Sequence, residues 1–214
     1  MDHHQENQTK SAFHEWVESI LIALVLALFI RSYFIQPFKI PSGSMRMTLV
    51  EGDRLFVNKL RYGPKLIPNF GLFPRLGITP PEWFTNLTKK RIPGVSHFKR
   101  GDVIVFIYPA DPKKDFIKRL IAFGGETVEI RYGDIYINDK KIDDPKIDNI
   151  RYANYGDYGE DNQKVQVPPG QLYVLGDNSV SSHDSRFWGF VPEENVIGKA
   201  ELIFWPLDRV RIIK

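Results

Sequence analysis

Three stretches of this chain carry side chains whose types and spacing could do chemistry together. The first is Pro41-Ser42-Gly43-Ser44-Met45, where Pro41 favours an extended residue before it and Gly43 permits a backbone shape that projects Ser44 from a turn. A serine displayed in this way can serve as a nucleophile, although P-S-G-S suits any loop equally well. The second is Lys118, in the segment 116–123 (FIKRLIAF). Alternation puts Phe116, Lys118 and Leu120 on one face of a strand and Ile117, Arg119 and Ile121 on the other. A lysine among such neighbours either snorkels to solvent at an edge or is desolvated, and desolvation lowers its pKa. Activation of a serine without histidine requires the second outcome, because at a reference pKa of about 10.4 only about one lysine in 2,500 is neutral at pH 7. Lowering that value by roughly two to three units costs roughly 3 to 4 kcal/mol and yields a usable general base. The third stretch is 176–190 (GDNSVSSHDSRFWGF), dense in hydroxyls and carboxylates. It reads either as a turn network satisfied by an Asp184–Arg186 ion pair or as a scaffold that orients the base.

The elements that must position these groups are mostly short strands. Segments 54–59, 103–108, 116–123, 127–131, 134–137, 163–167, 172–175, 199–204 and 210–213 are β-branched or aromatic runs bounded by Gly, Pro, Asn and Asp. Tyr132-Gly133 marks a tight hairpin, and a further turn falls at Asn138-Asp139. The fold class expected is mainly β: an N-terminal transmembrane helix, then antiparallel strands interrupted by an irregular Pro-rich insertion at 60–99, with a surface loop at 154–162. The run 20–30 (ILIALVLALFI) spans only about 17 Å as a helix, against a hydrocarbon core of roughly 30 Å. Extended to residues 16–34 it reaches about 28 Å, with Trp16 and Tyr33 placed as an aromatic belt. It reads as an anchor rather than a cleaved signal, since no basic segment precedes it and Arg31-Ser32-Tyr33 is not a small-x-small exit. The organisation expected is thus a tail at 1–15, an anchor at 16–34 and a β-rich domain at 35–214.

Composition narrows the function. The chain has 214 residues, 29 Lys and Arg against 26 Asp and Glu, a net charge of +3 and no cysteine. The balance is too slight to argue for a nucleic-acid partner. Absence of cysteine removes disulfides, cysteine nucleophiles and thiolate metal sites together. The five histidines lack metal-ligand spacing, so neither a metal nor another cofactor is expected. A mean hydropathy of -0.27 excludes a polytopic membrane protein.

The motifs taken in order resemble those of bacterial type I signal peptidases, membrane-anchored Ser/Lys endopeptidases that remove signal peptides from exported proteins. The match runs through P-S-G-S-M-x-x-T-L at 41–49, Gly52-Asp53 with Val57, R-G-D-V-I-V-F at 100–106, Lys118-Arg119 with Gly124, and G-D-N…S-x-D-S-R-x-W-G at 176–189. The resemblance implies that Ser44 is the nucleophile and Lys118 the general base. By the same likeness Ser42 joins the Ser44 backbone N–H in the oxyanion hole, where one donor is worth about 3 to 4 kcal/mol. Ser182 matches the residue that orients the lysine amine. Asp184 and Arg186 match a structural pair beneath it, with Arg119, Asp177 and Asn178 in support. Phe38, Ile40, Met45, Leu49 and Ile117 match positions lining pockets for small substrate side chains, although alternation puts Ile117 opposite Lys118. The partners implied are preprotein signal peptides and a lipid bilayer, with the substrate adding to a strand edge. The location implied is the bacterial cytoplasmic (inner) membrane, single-pass, with the catalytic domain on the trans side.

Some features depart from that pattern. Met47 stands where the family usually has proline, Gly125-Glu126 replaces Pro-Gly-Asp, and Ser179-Val180-Ser181 replaces a more charged stretch, which leaves the bonding around Asp177 open. Lys10 is the only basic residue before the anchor while Arg31, Lys39 and Arg46 follow it, so the positive-inside rule points the domain to the cytoplasm. We side with the family on orientation, because long domains translocate largely regardless of charge. Ser96-His97-Phe98-Lys99 fits S-x-x-K but lacks the motifs that accompany it in β-lactamases, and His183-Asp184 offers the parts of a triad with Ser44. A membrane-tethered, non-catalytic binding or processing-assistance protein on the same scaffold is the rival reading. A self-cleaving repressor would carry a DNA-binding helical domain in place of the apolar run.

Overall fold

The computed structural model describes residues 12–67 and 79–213. Most of the expected N-terminal tail and residues 68–78 of the insertion lie outside the described residues. The first element, helix α1 (Ala12–Tyr33), has 22 residues, or about 33 Å, enough to cross a hydrocarbon core of about 30 Å. It starts four residues before the expected anchor and ends one residue before Phe34. Its apolar side chains are exposed, so the other described residues supply no core for them.

A single residue, Phe34, joins α1 to strand β1 (Ile35–Lys39), which pairs antiparallel with β2 (Arg54–Asn58). β1 was not legible as a strand because Pro37 interrupts it. Proline is tolerated there because β1 is the edge of its sheet and needs no donor on its outer side. The larger sheet runs β1-β2-β11-β3-β4-β9-β10 through β3 (Val103–Ile107), β4 (Asp115–Phe123), β9 (Gln171–Leu175), β10 (Val191–Pro192) and β11 (Val196–Trp205). Strand β12 (Arg211–Ile212) adds to β11, and all of these pairings are antiparallel. A second sheet, β7-β6-β5-β8, consists of β5 (Thr127–Arg131), β6 (Asp134–Ile137), β7 (Lys140–Lys141) and β8 (Val165–Gln166). Its hairpins turn at Tyr132-Gly133 and Asn138-Asp139, and all four turn residues take positive φ, as tight primed turns require.

The described part of the insertion is not wholly irregular. It holds a helix at Glu82–Lys89, set between Pro80-Pro81 ahead of it and Pro93 after it, with Pro81 at the N-cap, where a missing N–H costs nothing. Two one-turn helices, Pro145–Asp148 and Ser185–Trp188, start from Asp144 and Asp184, whose carboxylates accept from the backbone N–H groups of Lys146 and Arg186.

Three apolar clusters hold the sheets. One sits under the second sheet around Ile130, Ile135, Tyr152 and Tyr173; one lies beneath the Ser44 turn around Met45, Leu49, Leu55 and Val105; the third joins Ile104, Phe106, Leu120 and Val174. Ile130, only 2% exposed at the centre of the first cluster, is a direct test of that packing. Ile130→Ala should lose about 2 to 5 kcal/mol, read as a lowered thermal midpoint in detergent. A midpoint equal to wild type would mean that the cluster contributes little.

Candidate active site

Ser44 is presented by a tight turn pinned from below and from above. After β1 the chain buries Ile40, turns through Pro41 and Ser42, and forms a single 3₁₀ turn at Gly43–Met45. Met45 and Leu49 plunge into the core beneath, and the Arg46 N–H donates to the Gly43 carbonyl at 3.1 Å. From the other side the segment after β9 clamps the turn. Asn178 donates from its side-chain amide to the Gly43 carbonyl and from its backbone N–H to the Ser44 carbonyl, both at 2.9 Å. Gly43 does not take a positive φ. The Arg46 and Glu51 side chains occupy the space a Cβ would enter there, each 2.8 Å from that position.

Lys118 Nζ lies 2.6 Å from Ser44 Oγ, and the lysine is 4% exposed. Burial lowers its pKa to about 8; Asp184 and Asp177 oppose that shift, and Arg186 adds to it. Sheet geometry explains how this lysine is buried without being sealed behind a strand. β9 pairs with β4 only from Arg119 onward, opposite Leu175, and then leaves the sheet at Gly176. The Ser182 hydroxyl and the Ser44 carbonyl fill the place it vacates. A Cβ at Gly176 would sit 2.6 Å from that carbonyl and overlap Ser182 Oγ, so only glycine lets the strand exit here. Ser182 Oγ is buried and has no hydrogen-bond partner among the described residues.

Two buried ion pairs frame the lysine. Arg119 binds Asp177 through both carboxylate oxygens, Nε to Oδ1 at 2.8 Å and Nη2 to Oδ2 at 2.6 Å, and donates to the Gly101 carbonyl at 2.6 Å. Thr48 bridges the same pair, accepting from Arg119 at 3.0 Å and donating to Asp177. Arg186 binds Asp184 in the same two-pronged way, at 2.8 and 2.9 Å, and Asp184 also accepts from the Gly176 N–H at 3.0 Å. The charges missing from the Ser179 to Ser181 stretch therefore leave nothing open around Asp177. Ser179 has become a part of the frame itself, its Oγ accepting from Arg186 at 2.9 Å and from the Ala153 N–H at 2.7 Å.

These groups border a cleft of about 560 Å³ lined by Ser42, Ser44, Asp115 to Lys118, Asn178, Ser181 and His183 among others. Ser42 stands exposed at its mouth, and its side chain does not cap the turn. Of the five residues expected to wall substrate pockets, Ile117 lines the cleft. Ile40, Met45 and Leu49 lie buried beneath the Ser44 turn, and Phe38 packs against the same cluster. Thr48 and the Gly101 carbonyl were missed as frame members. Both stand inside the quoted motifs, yet nothing in their types foretold a shared arginine across 71 and 18 residues. His183 is exposed at the cleft, and the carboxylate beside it is committed to Arg186 and Gly176, so the parts of a Ser–His–Asp relay are not assembled. A hydroxyl against a dry, largely unpaired amine is an arrangement for nucleophilic attack with amine general-base assistance.

Comparison with known proteins agrees with this chemistry. The family model described as signal peptidase, peptidase S26, matches residues 13–205. Signal peptidase I of Bacillus licheniformis is 32% identical over 221 residues, covering 99% of this chain and 98% of that protein. Signal peptidase I P of Bacillus subtilis subsp. natto is 30% identical over 218 residues, covering 98% of each. Signal peptidase I of Rickettsia conorii is 34% identical over 236 residues, covering 95% of this chain and 84% of that protein.

The desolvated amine carries a stability signature. Unfolded, Lys118 keeps its proton up to about 10.5; folded, it loses it at about 8. Between those values the unfolded state binds more protons, so stability rises with pH, and below pH 8 the full penalty of about 3 kcal/mol applies. Lys118→Met, similar in volume, should raise the melting temperature at pH 7, with the gain fading towards pH 10.5. A variant less stable than wild type at pH 7 would argue against a desolvated ammonium.

Proposed function

Because this chain belongs to the signal peptidase family, peptidase S26, we propose that it is a membrane-anchored serine endopeptidase that cuts signal peptides from exported preproteins, with Ser44 as nucleophile and Lys118 as general base. The observation that carries the assignment of roles is the 2.6 Å separation of Lys118 Nζ and Ser44 Oγ, both buried at the floor of the cleft. With the amine neutral, the Ser44 hydroxyl donates to the Nζ lone pair. As Oγ attacks the scissile carbonyl carbon, its proton passes to Lys118 and the carbonyl oxygen becomes an oxyanion. The Ser44 backbone N–H and the Ser42 hydroxyl at the cleft mouth are the donors assigned to it. The Lys118 ammonium then protonates the departing amine, which leaves an acyl ester on Ser44. Water, deprotonated by the same amine, hydrolyses that ester.

The substrate enters as an extended segment beside Asp115 to Lys118, the half of β4 that pairs with β3 but not with β9. Ile117 faces this segment while touching the cluster that contains Ile40, Met45 and Leu49. Their close packing keeps that wall from yielding, which favours small side chains before the cut. Ser182, an unpartnered hydroxyl beside the dyad, is the group assigned to aim the amine, and the two arginine–aspartate pairs hold the frame.

Helix α1 is the one candidate anchor among the described residues, and the domain is assigned to the trans side of the bacterial cytoplasmic membrane. The basic residues after α1 run against the positive-inside rule, but that rule governs loops of up to roughly 60 residues, far shorter than 35–214. A binding-only role is not favoured, because it would leave the cost of a buried amine without a purpose.

In a preprotein cleavage assay, Ser44→Ala should abolish cutting and Lys118→Ala should lower kcat by about 10² to 10⁴, with His183→Ala close to wild type. Full activity in Lys118→Ala together with loss in His183→Ala would replace the amine by the imidazole. Independently, kcat/KM should climb with pH and level off above an apparent pKa near 8. A profile unchanged from pH 6 to 10 would remove Lys118 as the base.

A further inference from the structure

The C-terminal end of α1 is tied to the sheet by one side chain outside the site. Lys59, which follows directly on β2, donates from Nζ to the carbonyls of Arg31 at 2.9 Å and Ser32 at 3.3 Å, and from its backbone N–H to the Phe34 carbonyl at 2.8 Å. The last carbonyls of a helix have no partner within it, and they carry the negative end of its dipole. Burial against the helix draws the Lys59 pKa down to about 8, which leaves it protonated at neutral pH with its donors intact. Tyr33 adds a bond from its hydroxyl to the Leu66 carbonyl at 3.2 Å.

The consequence is geometric. Only Phe34 separates the membrane helix from β1, and β1 leads straight to the turn that carries Ser44. Its five residues span about 16 Å at about 3.3 Å each. With the helix end loose, Phe34 would act as a swivel and the site could ride at different heights above the bilayer. With the end capped from β2, the strand paired to β1, the helix and both strands form one rigid arm. A substrate held in the same membrane by its own apolar segment reaches the site at a height set by its sequence. A shift of the site by about 3.3 Å therefore moves the cut by about one residue.

We propose that Lys59 is a positioning residue that, by capping the membrane helix from the sheet, sets the height of the Ser44–Lys118 site above the bilayer and so selects the bond cut in a membrane-held substrate. This rests on the peptidase reading above. The experiment uses the full chain in lipid vesicles with two substrates: a preprotein inserted in the same vesicles, and a short soluble peptide spanning the same cleavage site. Lys59→Met keeps the apolar stem and removes the donors, whereas Lys59→Arg keeps donors. In Lys59→Met, cleavage of the soluble peptide should stay close to wild type. Cleavage of the preprotein should fall about tenfold as the tethered encounter is misaligned, with product termini spread over neighbouring bonds by mass spectrometry. Lys59→Arg should restore rate and cut position. The proposal is overturned if Lys59→Met keeps the wild-type ratio of the two activities with a single cut. It is equally overturned if both activities fall together, since Lys59 would then only hold the sheet. Wild type cutting neither substrate would instead remove the peptidase reading, and this inference with it.

Discussion

The site depends on a lysine amine being denied both water and a carboxylate. Lys118 has Asp177 and Asp184 close enough to raise its pKa, yet burial prevails and the amine sits near 8. The reason is that each aspartate already has its own arginine, bound through both oxygens, with Arg119 on Asp177 and Arg186 on Asp184. A buried carboxylate left unpaired would claim the ammonium, and the base would be lost to an ion pair. The two arginines therefore keep the carboxylates from the amine without touching it, and the two pairs account for four buried charges in a domain of modest size.

The same pairs determine shape. Asp184 receives the Gly176 N–H where β9 leaves the sheet and caps the short helix that follows, so one carboxylate sets both the exit of the strand and the return of the chain. Asp177 is tied to Thr48, four residues beyond Ser44, and Asn178 holds the Gly43 and Ser44 carbonyls. Ser44, Lys118 and their frame thus come from three separate parts of the chain, joined where β4 lies open beyond the end of β9. On the proposed reading, that opening would receive an extended polypeptide along the sheet.

Much of this was legible in the order of residues, and what was legible was local. The apolar run of α1, the turn pairs Tyr132-Gly133 and Asn138-Asp139, and the motifs around Ser44, Lys118 and Asp184 depend on neighbours within a few positions, so their reading needed no knowledge of the fold. Element edges were less secure. β1 was hidden because a proline reads as a breaker until its strand is seen to be an edge, and the helix at Glu82–Lys89 was hidden by prolines that flank it without entering it.

Residue order by itself established a β-rich domain behind an apolar helix, with a serine, a lysine and a hydroxyl-rich loop of a recognisable kind. Tertiary structure decided how they meet: that residues 74 apart stand 2.6 Å from one another, that Ile40, Met45 and Leu49 support the turn from beneath, and that Thr48 and Lys59 tie distant segments together. Strand pairing decides these contacts, and no periodicity encodes them, because a contact across a sheet depends on which strand becomes the neighbour and on where that neighbour ends.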